Sequence, residues 1–144
     1  MAADSSTGPG AERIYLDAAP VIYAVEHVPG YAEAVDARLS APGMVLVTSD
    51  LTLLECRIKP LRDGDIELLA DFDAFFAETI SVMVPFTREV IDRATELRAA
   101  HNVKTPDALH LPAAMVSRCD TFLTNDHQLS RVPGITVQVL PAPH

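Results

Sequence analysis

The sequence has no long apolar run: no stretch approaches the ~18 consecutive apolar residues of a membrane-spanning helix, so no membrane span is expected. Cysteine is scarce. Cys56 and Cys119 are the only two, and neither has a histidine or second cysteine at zinc-finger spacing. This argues against a disulfide scaffold or structural zinc, and favours two reduced thiols in a cytoplasmic protein. The five histidines are scattered, so no Cys–His nucleophile pair stands out, and no glycine-rich phosphate loop is visible. Basic residues are few: 11 Lys and Arg against 20 Asp and Glu, a net charge of −9. A protein that grips nucleic acid through phosphate contacts is usually basic. Any such activity here needs an offset to the acidity. Divalent cations in a carboxylate cluster would supply one locally, and a basic partner on the acidic face would supply another.

What is present suits a single globular domain: 144 residues, 49% hydrophobic and 22% charged. Residues 1–12 are small and polar and read as a flexible tail, residues 13–140 as the domain, and residues 141–144 as a frayed end. Short β-prone runs predict strands over 13–16, 44–48, 80–84, 121–124 and 135–139. Helical spacing predicts helices over about 18–28, 31–39, 50–59, 65–78, 88–101 and 105–118. The third should stop before Pro60, and Thr105 should cap the last with Pro106 at its first position. Strands alternating with helices predict an α/β fold, with a mostly parallel central β-sheet flanked by helices on both faces.

In such sheets, ligands bind beyond the carboxyl ends of the strands. Asp17 follows the first strand and Asp126 the fourth. Glu55 lies about two turns into the helix after the second strand, and Asp107 in the first turn of the helix before the fourth. Each has an ordinary reading: Asp17 as a helix cap, Asp126 as a turn residue, Glu55 as a solvated carboxylate, Asp107 as a helix-start acid. Together they are candidate ligands for Mg²⁺ or Mn²⁺, hard cations that prefer oxygen donors and offset the repulsion of clustered carboxylates.

Ile14-Tyr15-Leu16-Asp17, Leu53-Leu54-Glu55, Thr105-Pro106-Asp107-Ala108-Leu109-His110-Leu111 and Thr124-Asn125-Asp126 resemble the four signatures of PIN-domain ribonucleases. More narrowly, the chain is similar to the VapC toxins of bacterial type II toxin–antitoxin pairs, from Arg13 to Leu140. The resemblance implies a PIN-like domain whose acidic metal-binding and catalytic residues fall on Asp17, Glu55, Asp107 and Asp126. It implies Mg²⁺- or Mn²⁺-dependent endonucleolytic cleavage of RNA with water as nucleophile, a homodimer, and a cognate antitoxin that blocks the site. Thr124 matches the family's hydroxyl residue near the last acid, and Ser49 is a further hydroxyl candidate.

Arg57, Lys59 and Lys104 are candidates to hold RNA phosphates, or else solvated helix ends. His110 is read as a packed, structural histidine rather than a general base. Phe72, Phe75 and Phe76 are core, or an apolar groove for a partner helix. Pro112 departs from the family pattern, which usually has a small residue there, and predicts a kink just past Asp107. The alternatives to a nuclease are a noncatalytic PIN-like interaction module and a metal-dependent phosphatase.

Overall fold

The computed structural model describes residues 11–141. Residues 1–10 of the expected tail and residues 142–144 of the expected frayed end lie outside the described residues. The elements run β1 (Glu12–Leu16), α1 (Ala18–Val25), α2 (Ala32–Leu39), β2 (Met44–Ser49), α3 (Asp50–Asp63), α4 (Ile66–Glu78), β3 (Val82–Val84), α5 (Arg88–His101), α6 (Thr105–Val116), β4 (Thr121–Thr124) and β5 (Thr136–Val139). A 3-10 helix, His127–Arg131, joins the last two strands.

The five strands form one sheet in the order β3-β2-β1-β4-β5, and every pairing is parallel. The order reverses at β1, which sits between β2 and β4. The two neighbouring strands are therefore reached by crossovers in opposite directions, and a crevice opens beyond the carboxyl end of β1.

Strand alternation sorts the core into two layers. Ile14, Leu16, Leu46 and Leu123 pack with Val21, Val35, Cys56, Phe72 and Phe76 under α1–α4. Tyr15, Val45, Val47 and Phe122 pack with Val90, Ala108, Leu111 and Ala113 under α5 and α6. Both faces are covered, so the strands read as continuous apolar runs. Phe72 and Phe76 belong to the core, while Phe75 is half-buried at its margin.

Several boundaries differ from expectation. Helix α1 stops at Val25 rather than near residue 28, because Glu26 caps it and His27 takes a left-handed φ of 51°. Helix α3 does not stop before Pro60 but runs through it to Asp63. Pro60 is buried, so its ring gains packing where its missing N–H leaves the ladder short of a bond. The helix ends at Gly64, whose φ of 69° suits a residue without Cβ. Helix α6 is preceded by Lys104 rather than capped by Thr105. The Thr105 hydroxyl is engaged by Arg98 of α5 instead, and Pro106 becomes the second helical residue. Helix α6 continues through buried Pro112, with Asp107 in its first turn ahead of that residue.

Candidate active site

Asp17 is fixed on both oxygens. Its Oδ1 accepts from the Ala18 N–H at 2.8 Å, capping α1, and its Oδ2 accepts from the Thr124 hydroxyl at 2.8 Å. The carbonyl just before it, of Leu16, accepts from buried Thr48 and Thr52 at 2.8 and 3.2 Å. The Asp17 N–H closes onto the Leu123 carbonyl at 3.0 Å. Capping and site membership are thus compatible roles, since capping is what aims the carboxylate.

Asp126 repeats the arrangement at the end of β4. Its Oδ1 accepts from the Gln128 N–H at 2.9 Å, starting the 3-10 helix, while its own N–H donates to the Thr124 hydroxyl oxygen at 3.1 Å. Thr124 therefore ties the two acids together and is wholly buried.

Glu55 reaches the site from α3. Its Oε1 lies 2.6 Å from His110 Nε2, and that nitrogen lies 3.7 Å from Asp17 Oδ1. One ligand atom from each of Asp17, Glu55 and His110 falls within 4.8 Å of the other two. Asp107 and Asp126 share the lining of a small cleft of about 100 Å³, with Lys104 and Arg131 beside them.

Asp107 reports the electrostatics. Burial pushes its carboxyl above the usual carboxylate range; Asp17, Asp126 and Glu55 push it further, while His110 opposes them. Buried Cys56, next to Glu55, has its thiol pushed up to about 12 by burial first and then by Glu55 and Asp17, which keeps it protonated and unreactive. Among the described residues, none of the four acids forms a salt bridge with a lysine or arginine.

The other candidates are distributed unevenly. Lys104 stands at the cleft. Arg57 donates through Nε and Nη2 to Asp73 at 2.9 and 2.7 Å, and Lys59 pairs with Glu26 at 3.3 Å. Ser49 is buried and meets the Tyr15 hydroxyl at 2.7 Å rather than an acid. One contributor, Arg131, is new to the site, and another, His110, is buried as its sequence predicts but does more than pack. Arg131 lines the cleft without having been marked by any local pattern. His110 is as buried as a structural histidine should be, yet it touches Glu55. Its position three residues after Asp107, on the same helical face, was the available signal.

A family model for the PIN domain matches residues 14–135. The chain belongs to the PIN-domain family. Its fold is that of solved toxin–antitoxin structures. The Rickettsia felis VapBC2 complex, bound to a DNA fragment from its promoter, matches with a TM-score of 0.74 and 17% identity, over 90% of this chain and 99% of that one. The DNA-bound VapBC of Salmonella typhimurium matches with a TM-score of 0.71 and 18% identity, over 89% and 98% of the two chains. Mycobacterium tuberculosis VapC20, a toxin that cleaves the sarcin–ricin loop, matches with a TM-score of 0.68 and 18% identity, over 89% and 99%. Among curated proteins, none matches in sequence. Also among the described residues, no helix of this PIN domain is long and apolar enough to cross a membrane.

Proposed function

We propose that this PIN domain is a metal-dependent endoribonuclease of the VapC toxin type, which cleaves RNA phosphodiester bonds at Asp17, Glu55, Asp107 and Asp126. The observation that supports the reading is that Asp17, Glu55 and Asp126, each from a different element, all load the Asp107 carboxyl, with no lysine or arginine paired to any of the four among the described residues.

The donor set fits a hard divalent cation. Its oxygens come from carboxylates, Asp107 shows the electrostatic load of its uncompensated neighbours, and no thiolate competes, since Cys56 stays protonated. Asp17, Glu55, Asp107 and Asp126 would hold Mg²⁺ or Mn²⁺. The cation supplies Lewis acidity towards the phosphate and lowers the pKa of water. The chain's own residues supply the frame. Thr124 and the α1 N-terminus orient Asp17, and the start of the 3-10 helix orients Asp126. Lys104 and Arg131 sit where a phosphate of the RNA strand can be held beside the acids.

The solved toxin–antitoxin neighbours support an antitoxin partner; that it blocks the acidic site, and that the toxin is a homodimer, are parts of the same proposal. Purified protein incubated with RNA and Mg²⁺ or Mn²⁺ tests the activity. Cleavage should depend on the cation, stop with chelator, and disappear in Asp107→Asn, which also excludes a contaminating ribonuclease. Cation binding without any cleavage would point instead to a noncatalytic interaction module.

A further inference from the structure

Three of the four acids have anchors on their own backbone or beside it. Asp17 and Asp126 cap helices, and Asp107 lies in the first turn of α6. Glu55 has none of these. It sits mid-helix on α3, on a longer side chain, and its one hydrogen-bond partner among the described residues is His110.

His110 in turn has no freedom. It is fully buried, and both ring nitrogens are engaged: Nε2 with Glu55 at 2.6 Å and Nδ1 with the Tyr15 hydroxyl at 2.8 Å. Tyr15 and Ser49 are also fully buried, and their hydroxyls meet at 2.7 Å. Tyr15 is stacked on Phe122 with ring planes 8° apart, so the phenol cannot swing away.

The hydrogens can be assigned from the partners. A carboxylate only accepts, so Nε2 carries the hydrogen and donates to Glu55. In the neutral ring Nδ1 accepts from the Tyr15 O–H and the Tyr15 oxygen accepts from the Ser49 O–H; in the charged ring both of these bonds reverse while Nε2–H still donates to Glu55. Every polar group in the chain is satisfied in either state. The chain also links α3, which packs on one face of the sheet, to α6, which packs on the other.

We propose that His110, held by the Tyr15 and Ser49 hydroxyls, is the positioning residue that keeps the Glu55 carboxylate beside Asp17 in the metal site. The inference rests on the metal-site reading above. It differs from direct ligation, in which His110 would offer Nε2 as a lone pair. Partners that orient ligands in this way typically change metal affinity about 10–100-fold when removed.

The test is Mn²⁺ titration calorimetry on the full chain, with metal-free thermal unfolding run in parallel. The variants are His110→Leu, His110→Gln, Tyr15→Phe and, as a control for the site, Asp17→Asn. Wild-type protein should bind Mn²⁺, and Asp17→Asn should not. His110→Leu should bind about 10–100-fold more weakly. Tyr15→Phe, which keeps the ring and removes only the hydroxyl, should bind several-fold more weakly, and it decides the matter if His110→Leu fails to fold. His110→Gln should recover most of the affinity, because its amide N–H can replace Nε2–H. Affinity unchanged in Tyr15→Phe and His110→Leu would overturn the inference and leave the metal reading intact. A loss in His110→Gln as large as in His110→Leu would overturn the donor role. A ¹⁴N coupling to bound Mn²⁺ that vanishes in His110→Gln would replace positioning with direct ligation. Wild-type protein that binds no Mn²⁺ would overturn the metal reading and this inference together.

Discussion

The two edges of the sheet use their acids in opposite ways. At the amino edge, Glu12 at the start of β1 accepts from Arg38 at 2.6 Å and from Thr121 at 2.8 Å, and Arg38 also donates to Gln138 at 2.8 Å. Beside them, Asp120 accepts from the Arg13 N–H at 2.8 Å, while the Arg13 side chain bonds Ser117. At the carboxyl edge, among the described residues, Asp17, Glu55 and Asp126 bond only hydroxyls, backbone N–H groups and one histidine, and all three push up the Asp107 carboxyl. Arg38 holds Glu12 below its ordinary range, while burial and neighbouring acids hold Asp107 above it. One edge is complete as folded. The other gathers acids that no lysine or arginine pairs with among the described residues, which is the charge the proposed cation would balance.

The sharpest way to break this contrast is at the carboxyl edge. Asp17→Asn or Asp107→Asn should lower cation-dependent RNA cleavage by at least about 100-fold, the loss of several kcal/mol of charge stabilisation. Cleavage of a defined RNA, followed on gels over time, measures it. Metal-free Asp107→Asn should remain as stable as wild type or become slightly more so, since the change removes a repelling charge, whereas Asp17→Asn also gives up one of two accepted hydrogen bonds. Cation addition should give the next largest effect. A ligand at 100 times its dissociation constant stabilises the native state by about 2.7 kcal/mol. Thermal unfolding with and without Mn²⁺ should show a rise of several degrees for wild type and none for Asp17→Asn.

The asymmetry between the edges was partly legible in the sequence. Asp17 directly follows one β-prone run and Asp126 comes two residues after another, so the sheet's parallel winding placed them at one edge. Burial of both sheet faces made those runs continuous and easy to find. Local propensity misled where tertiary contacts decided the outcome. Pro60 predicts a helix end, yet its ring is buried and α3 continues. Thr105 has the chemistry of a cap, but Arg98 engages its hydroxyl. The bond from His110 to Glu55 joins residues 55 positions apart on opposite layers, and no local pattern encodes such a distance. The same holds for the groups that balance Glu12, since Thr121 is 109 positions away.

The amino edge should respond in stability and not in activity. Arg38→Ala removes a two-point contact with Glu12 that is about one-quarter exposed on both sides, at 22% and 30%. After solvent screening, a cost of about 1 kcal/mol is expected, a fall of a few degrees in midpoint temperature. RNA cleavage below that temperature should be unchanged. A loss of cleavage matching that of Asp107→Asn would mean that the edges are coupled through β1, and the contrast would fail.

The smallest effect is the most diagnostic, because the two edges should have opposite signs of pH dependence in metal-free buffer. Arg38 holds Glu12 below its ordinary 4.5, so the native state binds that proton more weakly than the unfolded chain. Its contribution is present above 4.5 and is lost as pH falls through the lowered folded value. Asp107 is raised above 3.8 by burial and by the acids around it, so the native state binds that proton more tightly. Its contribution is greatest at low pH and declines as pH rises from 3.8 through the raised folded value. Urea midpoints from about pH 3 to about pH 7 would separate the two. Glu12→Gln should remove an acid-side loss, and Asp107→Asn should remove a decline on the side of higher pH. Saturating Mn²⁺ should erase the second slope, because it favours the ionised carboxylate, and leave the first untouched. Slopes of the same sign at both edges would mean that Asp107 is as well compensated as Glu12, and the case for a cation at that edge would lose its electrostatic basis.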